Sequence, residues 1–313
     1  MVEVHSEPLQ KRYSASRCSL SYIFWLAYYV AIVVAPFAIA YSTHAFWQKQ
    51  AVYQDQLTTT FNYGLVYMLE GQNTFLTWSS LTDYNNLIDS SQLRVPSISV
   101  ARDDNNNDGI TDEYEISIDI PIETTERAER LTLWLLFSSS LNDRVRMNME
   151  SLLPITLANP ATSTAGTGAS ITYNTDMTLF QRNPISASVI RNAYSTSPLA
   201  SITSISDITP ATIYQQLHSR NETYVASHAL PHTWTPTADS TVSAVIRIKV
   251  PMQSIWYVPS IAETFKWGWV QYLAALIPFA WLLSYVKSFV FRYQLLHTYV
   301  ANDTRPPQKA HHF

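Results

Sequence analysis

A single cysteine in 313 residues rules out disulfides as the source of stability. That residue, Cys18, lies near the N-terminus, so the central part of the chain must hold together through an apolar core. At roughly 220 residues it is large enough to do so. Glycine is almost as scarce, at six residues, and there is no glycine-rich phosphate loop. HExxH and GxSxG are likewise missing, which leaves out the helix-borne zinc pair and the nucleophile elbow. Four histidines, 44, 218, 228 and 232, fall in the central region. His228 and His232 are four apart, but Pro231 between them prevents the helix that would bring them to one face. No convergent nucleophile–base or catalytic metal-ligand set emerges, and the chain is expected to be neither an enzyme nor a binder of small-molecule substrates.

Charge is also missing locally. Between Lys266 and Lys287 there is none, and about 20 helical residues span roughly 30 Å, the thickness of a bilayer's hydrocarbon. Trp267, Trp269 and Tyr272 gather at one end of this run, and Trp281, Tyr285 and Phe289 at the other. Such rings, apolar in body and polar at the tip, suit the two membrane interfaces. Pro278 would break a helix in water but is tolerated in lipid. Residues 19–42 form a second uncharged run containing Pro36. Ala38-Ile39-Ala40 resembles a signal-peptidase site, yet the run exceeds the roughly 7–15 residues of a signal core, so a retained span is expected.

Orientation follows the positive flanks. Lys11, Arg12 and Arg17 precede the first span; Lys287, Arg292, Arg305 and Lys309 follow the second. The predicted layout is a cytoplasmic tail (1–18), a span (19–42), an extracellular or luminal domain (43–265), a span (266–287) and a cytoplasmic tail (288–313). The lipid bilayer is therefore the first partner. Acidic residues outnumber basic ones in the external segment, which excludes nucleic acid.

That segment reads as a series of strands. Over residues 58–70, Phe61, Tyr63, Leu65, Tyr67 and Leu69 fall on one face at period two. Residues 75–87 are a mixed stretch of turn and helix. Residues 94–101 form a short extended piece in which Pro96 suggests an edge position. Residues 113–122 alternate Tyr114, Ile116, Ile118, Ile120 and Ile122 with polar residues, so one face is buried and the other wet. The run 131–137 (LTLWLLF) is apolar almost throughout, as in a strand covered on both sides. Residues 147–157 and 240–250 supply two more strands. Residues 159–168 read as a flexible loop, and 169–205 as a Ser/Thr-rich stretch with only Ile171, Tyr173, Leu179 and Phe180 suggesting strand. Thr209 and Pro210 mark the start of a helix. The expected fold is mainly β: an antiparallel β-sandwich between two transmembrane helices.

Two sites stand out. The run DDNNNDGITDEYE carries Asp104, Asn106 and Asp108 at alternate positions, then Gly109, the Ile110 carbonyl and Asp112. Alternating oxygen ligands let a chain wrap a hard cation, and Glu115 falls where an EF-hand has its twelfth ligand. Strands rather than helices flank the run, which rejects an EF-hand and leaves a loop holding a structural Ca2+; a plain Asp-Gly turn is the alternative. Asn221-Glu222-Thr223 is an N-glycosylation acceptor in the external segment, expected to make Asn221 a glycoprotein site.

Several segments, collinear over nearly the whole chain, resemble the transmembrane protein 231 family: HAFWQKQ at 44–50, FLTWSS at 75–80, LRVPSIS at 93–99, the Asn/Asp-rich loop at 102–112, RNETYV at 220–225, WVQYL at 269–273 and VKSFVF at 286–291. The resemblance is weakest over 155–210. It implies a structural component of the ciliary transition zone, within the Meckel-syndrome (tectonic-like) membrane complex. That complex contributes to a diffusion barrier between ciliary and plasma membranes and supports ciliogenesis. The implied partners are other membrane and peripheral proteins of the complex, and the implied location is the ciliary membrane at the transition zone. The alternative is a cell-surface adhesion or ligand-binding receptor with a calcium-stabilised β-sandwich.

Overall fold

A computed structural model describes residues 11–302, apart from 45, 47, 73, 161–166, 201–203, 205–206, 208 and 229; of 301 and 302 it gives only the backbone. Six of the residues expected to form a flexible loop, 161–166, therefore lie outside the described part. In chain order the elements begin with β1 (Lys11–Ser14) and α1 (Leu20–Ser42). Next come β2 (Ala51–Asp55), β3 (Thr58–Glu70), β4 (Phe75–Ser79), α2 (Thr82–Asn85), β5 (Ser97–Asp103) and β6 (Glu113–Pro121). After these run β7 (Arg130–Leu141), β8 (Met147–Ala158), β9 (Gly168–Gln181), β10 (Ile185–Ser186) and β11 (Arg191–Tyr194). The chain continues with α3 (Pro210–Ser219), β12 (Glu222–Ser227), β13 (Thr233–Thr237), β14 (Thr241–Lys249) and β15 (Gln253–Val258), and closes with α4 (Ile261–Arg292) and β16 (Tyr299–Asn302). Two compact units result: Lys49–Ser260, and the two ends of the chain together.

The central unit is the expected β-sandwich. One sheet runs β11-β8-β7-β3-β4, and the other runs β12-β9-β14-β6-β5, with β13 also paired to β9. The inner faces meet in one core: Leu65, Tyr67 and Leu69 of β3 and Leu131 to Phe137 of β7 face Tyr114 to Ile120 of β6 and Val242 to Ile248 of β14. The period-two pattern of β6 and β14 dictates this directly, since every second residue is apolar and buried. The apolar run of β7 has a further reason. Its alternate residue Trp134 joins Val66, Met68 and Leu152 under a cover made by Tyr84 of α2, Leu199, and Ile213 and Leu217 of α3. Around Trp134 both faces of this sheet are therefore dry, and α3 begins as expected, with Thr209 accepting a hydrogen bond from the Thr212 N–H and Pro210 in the first turn.

The pairings are not all antiparallel. β9 lies parallel to β14, β11 to β8, and β10 to β15. The β9–β14 pair is separated in sequence by four strands and α3, the kind of long crossover that parallel neighbours require. β9 itself is 14 residues long and bonded on both edges, although its sequence offered little sign of a central strand. A small third sheet, β10-β15-β2, pairs Ala51 with Tyr257 and so sets the two ends of the central unit side by side.

Tyr63 departs from its expected place on the core face of β3. It is 58% exposed with φ of 57°, because the ladder to β7 steps from Phe61–Phe137 directly to Gly64–Leu136. Asn62 and Tyr63 form a two-residue bulge. An even insertion conserves the in–out parity, so Leu65, Tyr67 and Leu69 stay buried.

The second unit pairs α1 with α4. Both helices are long and apolar enough to cross a membrane. Leu26, Val30, Val33, Trp269, Leu273, Ile277 and Trp281 are exposed, which sets these helices apart from the core helices of a soluble protein. The buried residues of the two helices are small or compact: Ser21, Pro36 and Ala40 of α1 and Gly268 of α4. Helices in lipid approach at such residues because packing replaces the hydrophobic effect as the driving force. Phe46 lies on Gly268, where a Cβ would come within 2.4 Å of its ring, and Thr43 Oγ1 lies 3.1 Å from Gln271 Oε1 as well as from the Ile39 and Ala40 carbonyls of its own helix. At the opposite end the tails form a two-stranded sheet, Lys11 to Ser14 against Tyr299 to Asn302.

Gly64 offers the sharpest test of the bulge. A Cβ there would sit 2.7 Å from the Leu136 Cβ, within the ladder itself. Gly64→Ala should destabilise the purified chain by about 1–3 kcal/mol, the range for overpacking a core. Gly109→Ala, on an open loop, provides the comparison for a glycine whose constraint is conformational. Chemical denaturation of the detergent-solubilised chain measures both.

Candidate functional site

The loop 104–112 closes the hairpin between β5 and β6 at one end of the sandwich. Its backbone is wound by its own side chains. Asp104 accepts from the N–H groups of Asp108 (3.3 Å) and Gly109 (2.9 Å). Asn106 Oδ1 also accepts from the Asp108 N–H at 2.9 Å, and Asp108 Oδ1 accepts from the Ile110 N–H at 2.7 Å. Such side-chain-to-backbone bonds are the characteristic local chemistry of Asp and Asn. Asn107 and Gly109 take positive φ, 56° and 86°, to complete the wrap.

Asp112 ties the loop to the rest of the unit. Its N–H donates to the Asp103 carbonyl (2.9 Å), and its carbonyl accepts from the Val250 N–H (2.8 Å). Its Oδ1 accepts from Gln56 Nε2 (2.8 Å), which also donates to the Val250 carbonyl (2.9 Å), while Oδ2 accepts from the Asn105 N–H (3.0 Å). The Gln56 amide, followed by the Asn105 and Asn106 N–H groups, holds the Asp112 carboxyl below the usual carboxylate range. Glu115 is engaged elsewhere: its carboxylate takes Arg247 Nε at 2.8 Å across the β6–β14 pair, so it turns to the sheet and not to the loop. Among the described residues, no three His, Cys, Asp or Glu side chains converge in a group that could hold a metal ion. In this structure the Asp104, Asp108 and Asp112 carboxylates turn to amide and N–H donors.

Asn221 stands at the entry to β12 rather than in an open loop. Its Nδ2 donates to Glu222 Oε1 (2.6 Å) and to the Asn183 carbonyl (3.4 Å), and its Oδ1 accepts from Asn183 Nδ2 (2.8 Å). It lines a cleft of about 560 Å³ together with Asn183, Ile185, Arg191 and Glu222. Sequence reasoning did not single out Glu222, which is only 1% exposed and lies 3.5 Å from Arg191 Nη2. A buried carboxylate needs such a partner, but nothing in the sequence distinguishes Glu222 from an exposed acid. His228 and His232 are kept apart: His228 faces Asp176 at 3.5 Å, and His232 Nε2 meets the Ala158 carbonyl at 2.6 Å.

A β-sandwich joined at both ends to helices long and apolar enough to span a bilayer defines a two-span membrane protein. The sequence profile described as Transmembrane protein 231 matches residues 1–300. The chain belongs to the transmembrane protein 231 family. The chicken (Gallus gallus) Transmembrane protein 231 is 32% identical over 318 residues, covering 97% of this chain and 95% of the relative. The human (Homo sapiens) Transmembrane protein 231 is 30% identical over 311 residues, covering 95% and 94%. A proton-activated chloride channel aligns over 84% of this chain and 99% of its own at 7% identity, with a TM-score of 0.26, a likeness too weak to bear on fold or function.

Proposed function

We propose that the protein is a structural membrane component of the ciliary transition zone, within the tectonic-like complex that forms a diffusion barrier between ciliary and plasma membranes and supports ciliogenesis. What supports this reading is family membership along the whole chain. In the proposal both tails face the cytoplasm, because Lys11, Arg12 and Arg17 flank the first span and Lys287 and Arg292 the second. The sandwich then faces outward and offers its surface to the other proteins of the complex. An enzyme would need converging reactive groups; a scaffold needs rigidity and two anchors. Asn221 would carry a glycan in this topology. Substitution on Nδ2 leaves one N–H, which can keep one of its two bonds, to Glu222 or to the Asn183 carbonyl.

One experiment in ciliated cells addresses location and topology together. A tagged chain should form a ring at the ciliary base, and endoglycosidase should shift its mobility in wild type but not in Asn221→Gln. Uniform surface staining would favour the adhesion or ligand-binding receptor, and an unshifted wild type would count against an external, modified Asn221.

For the 104–112 loop we propose a structural Ca2+ held by Asp104, Asn106, Asp108, Asp112 and the Ile110 carbonyl. The N–H bonds occupy one lone pair of an acceptor oxygen that has two, and a hard cation takes what remains. The ion would pin β5 to β6 and offset the loop's negative charge. Titrating calcium into the chelator-treated full chain should raise its melting temperature, and Asp104→Ala with Asp108→Ala should abolish the rise. An unchanged melt in wild type would leave a turn held by its amides alone.

A further inference from the structure

The N-terminal tail, α1 and the C-terminal part of α4 line an open cleft of about 710 Å³, within the roughly 300–1,000 Å³ typical of ligand sites. Lys11, Lys287 and Arg292 line it, with Tyr28, Ser288 and Phe291. Among the described residues, no carboxylate pairs with any of these three cations. Lys287 is held in place by rings rather than by an acid, its Nζ 5.0 Å from the Tyr28 ring centroid and 5.4 Å from that of Tyr29. Cations left unpaired by acids in one concave site focus a positive potential.

The position in the membrane unit narrows the ligand. Lys287 is the first charge after the uncharged run that follows Lys266, so it marks the boundary between hydrocarbon and headgroups. Arg292 lies at the C-terminal end of α4, where the helix dipole favours a cation. The walls are tied together: Ser21 Oγ donates to the His297 carbonyl at 2.6 Å, Ser14 Oγ to the Tyr299 carbonyl at 3.2 Å, and the Phe291 ring lies against Tyr13 and Phe24. Strands β1 and β16 hold Lys11 beside the helix end. The site is therefore lined by the N-terminal tail and both spans and braced by the C-terminal tail, at headgroup depth.

We propose that this cleft binds the phosphorylated headgroup of a phosphoinositide, an anionic membrane lipid bearing phosphomonoesters. Three cations match the several negative charges of such a headgroup better than the single net charge of phosphatidylserine. Basic pockets between membrane helices are a recurrent way of holding these lipids on the cytoplasmic side. The choice of a cytoplasmic-leaflet lipid rests on the proposed topology of the tails, whereas binding to purified protein can be read without reference to location in the cell.

The test uses the full chain in detergent and thermophoresis with short-chain phosphatidylinositol bisphosphate, phosphatidylserine, phosphatidylcholine and free inositol trisphosphate. Saturable binding of one bisphosphate lipid per chain is expected, weakened by added salt. Lys287→Gln with Arg292→Gln should lower affinity at least tenfold, Lys11→Gln about threefold, and Lys287→Arg little. Arg247→Gln, which removes a charge from the sandwich, should change nothing. If the double variant loses its helical circular dichroism, the Lys11→Gln and Lys287→Arg pair carries the comparison. Equal binding of all the lipids, equal binding of inositol trisphosphate, or affinity unmoved by the cleft variants would overturn the assignment.

Discussion

The antiparallel pairing of β2 with β15 is the constraint on which the architecture depends. It joins Ala51 to Tyr257 and Asp55 to Gln253, so the first and last strands of the central unit are neighbours. A sandwich whose ends are adjacent can be inserted between two helices that are themselves adjacent, and the membrane unit meets that condition by its own contacts, Phe46 on Gly268 and Thr43 on Gln271. Each unit thus brings its two chain crossings together independently. The hydrogen-bonded backbone of β2 and β15 and the close approach of α1 and α4 serve one end: a loop of more than 200 residues behaves as a closed domain and not as a long tether.

Buried polar groups in the sandwich are spent on structure: Tyr114 OH donates to the Thr59 carbonyl at 2.7 Å, Tyr67 OH to the Arg94 carbonyl at 2.5 Å, and Tyr224 OH to Ser139 Oγ. Burial pushes the hydroxyls of Tyr67 and Tyr224 well above the ordinary tyrosine range, so they remain neutral donors at any physiological pH. The Gln56–Asp112–Val250 junction does the same at the loop end, binding three separate parts of the chain with one side-chain amide and one backbone bond.

Much of this was legible in the sequence where one physical rule acted alone. β6, β7 and β14 follow from period and apolarity, and the two spans from runs without charge. Legibility failed where a distant partner decided the outcome. β9 is stabilised by strands on both edges; Ala169, Ile171, Tyr173, Met177 and Leu179 do fall at period two, but the Ser, Thr and Asn residues among and around them diluted the signal. Tyr63 looked inward until the β7 ladder imposed a bulge. The tails read only as positively charged cytoplasmic flanks, yet β1 and β16 pair across nearly the whole length of the chain. In the loop, the oxygen-bearing residues could be named from spacing, but Gln56, which fixes Asp112, sits 56 positions away. Glu222 became visible only through its burial beside Arg191.

The central claim is that the two helices cross the membrane as a packed pair in the register set by Thr43 and Gln271. Disulfide trapping in native membranes tests it most directly, in a Cys18→Ser background carrying Thr43→Cys and Gln271→Cys, with the cross-linked peptide read by mass spectrometry. The account predicts efficient trapping of this pair and little for Thr43→Cys with Trp281→Cys, which lies about 15 Å further along a helix at 1.5 Å per residue. Absence of the first cross-link, or equal yields from the two pairs, would contradict it.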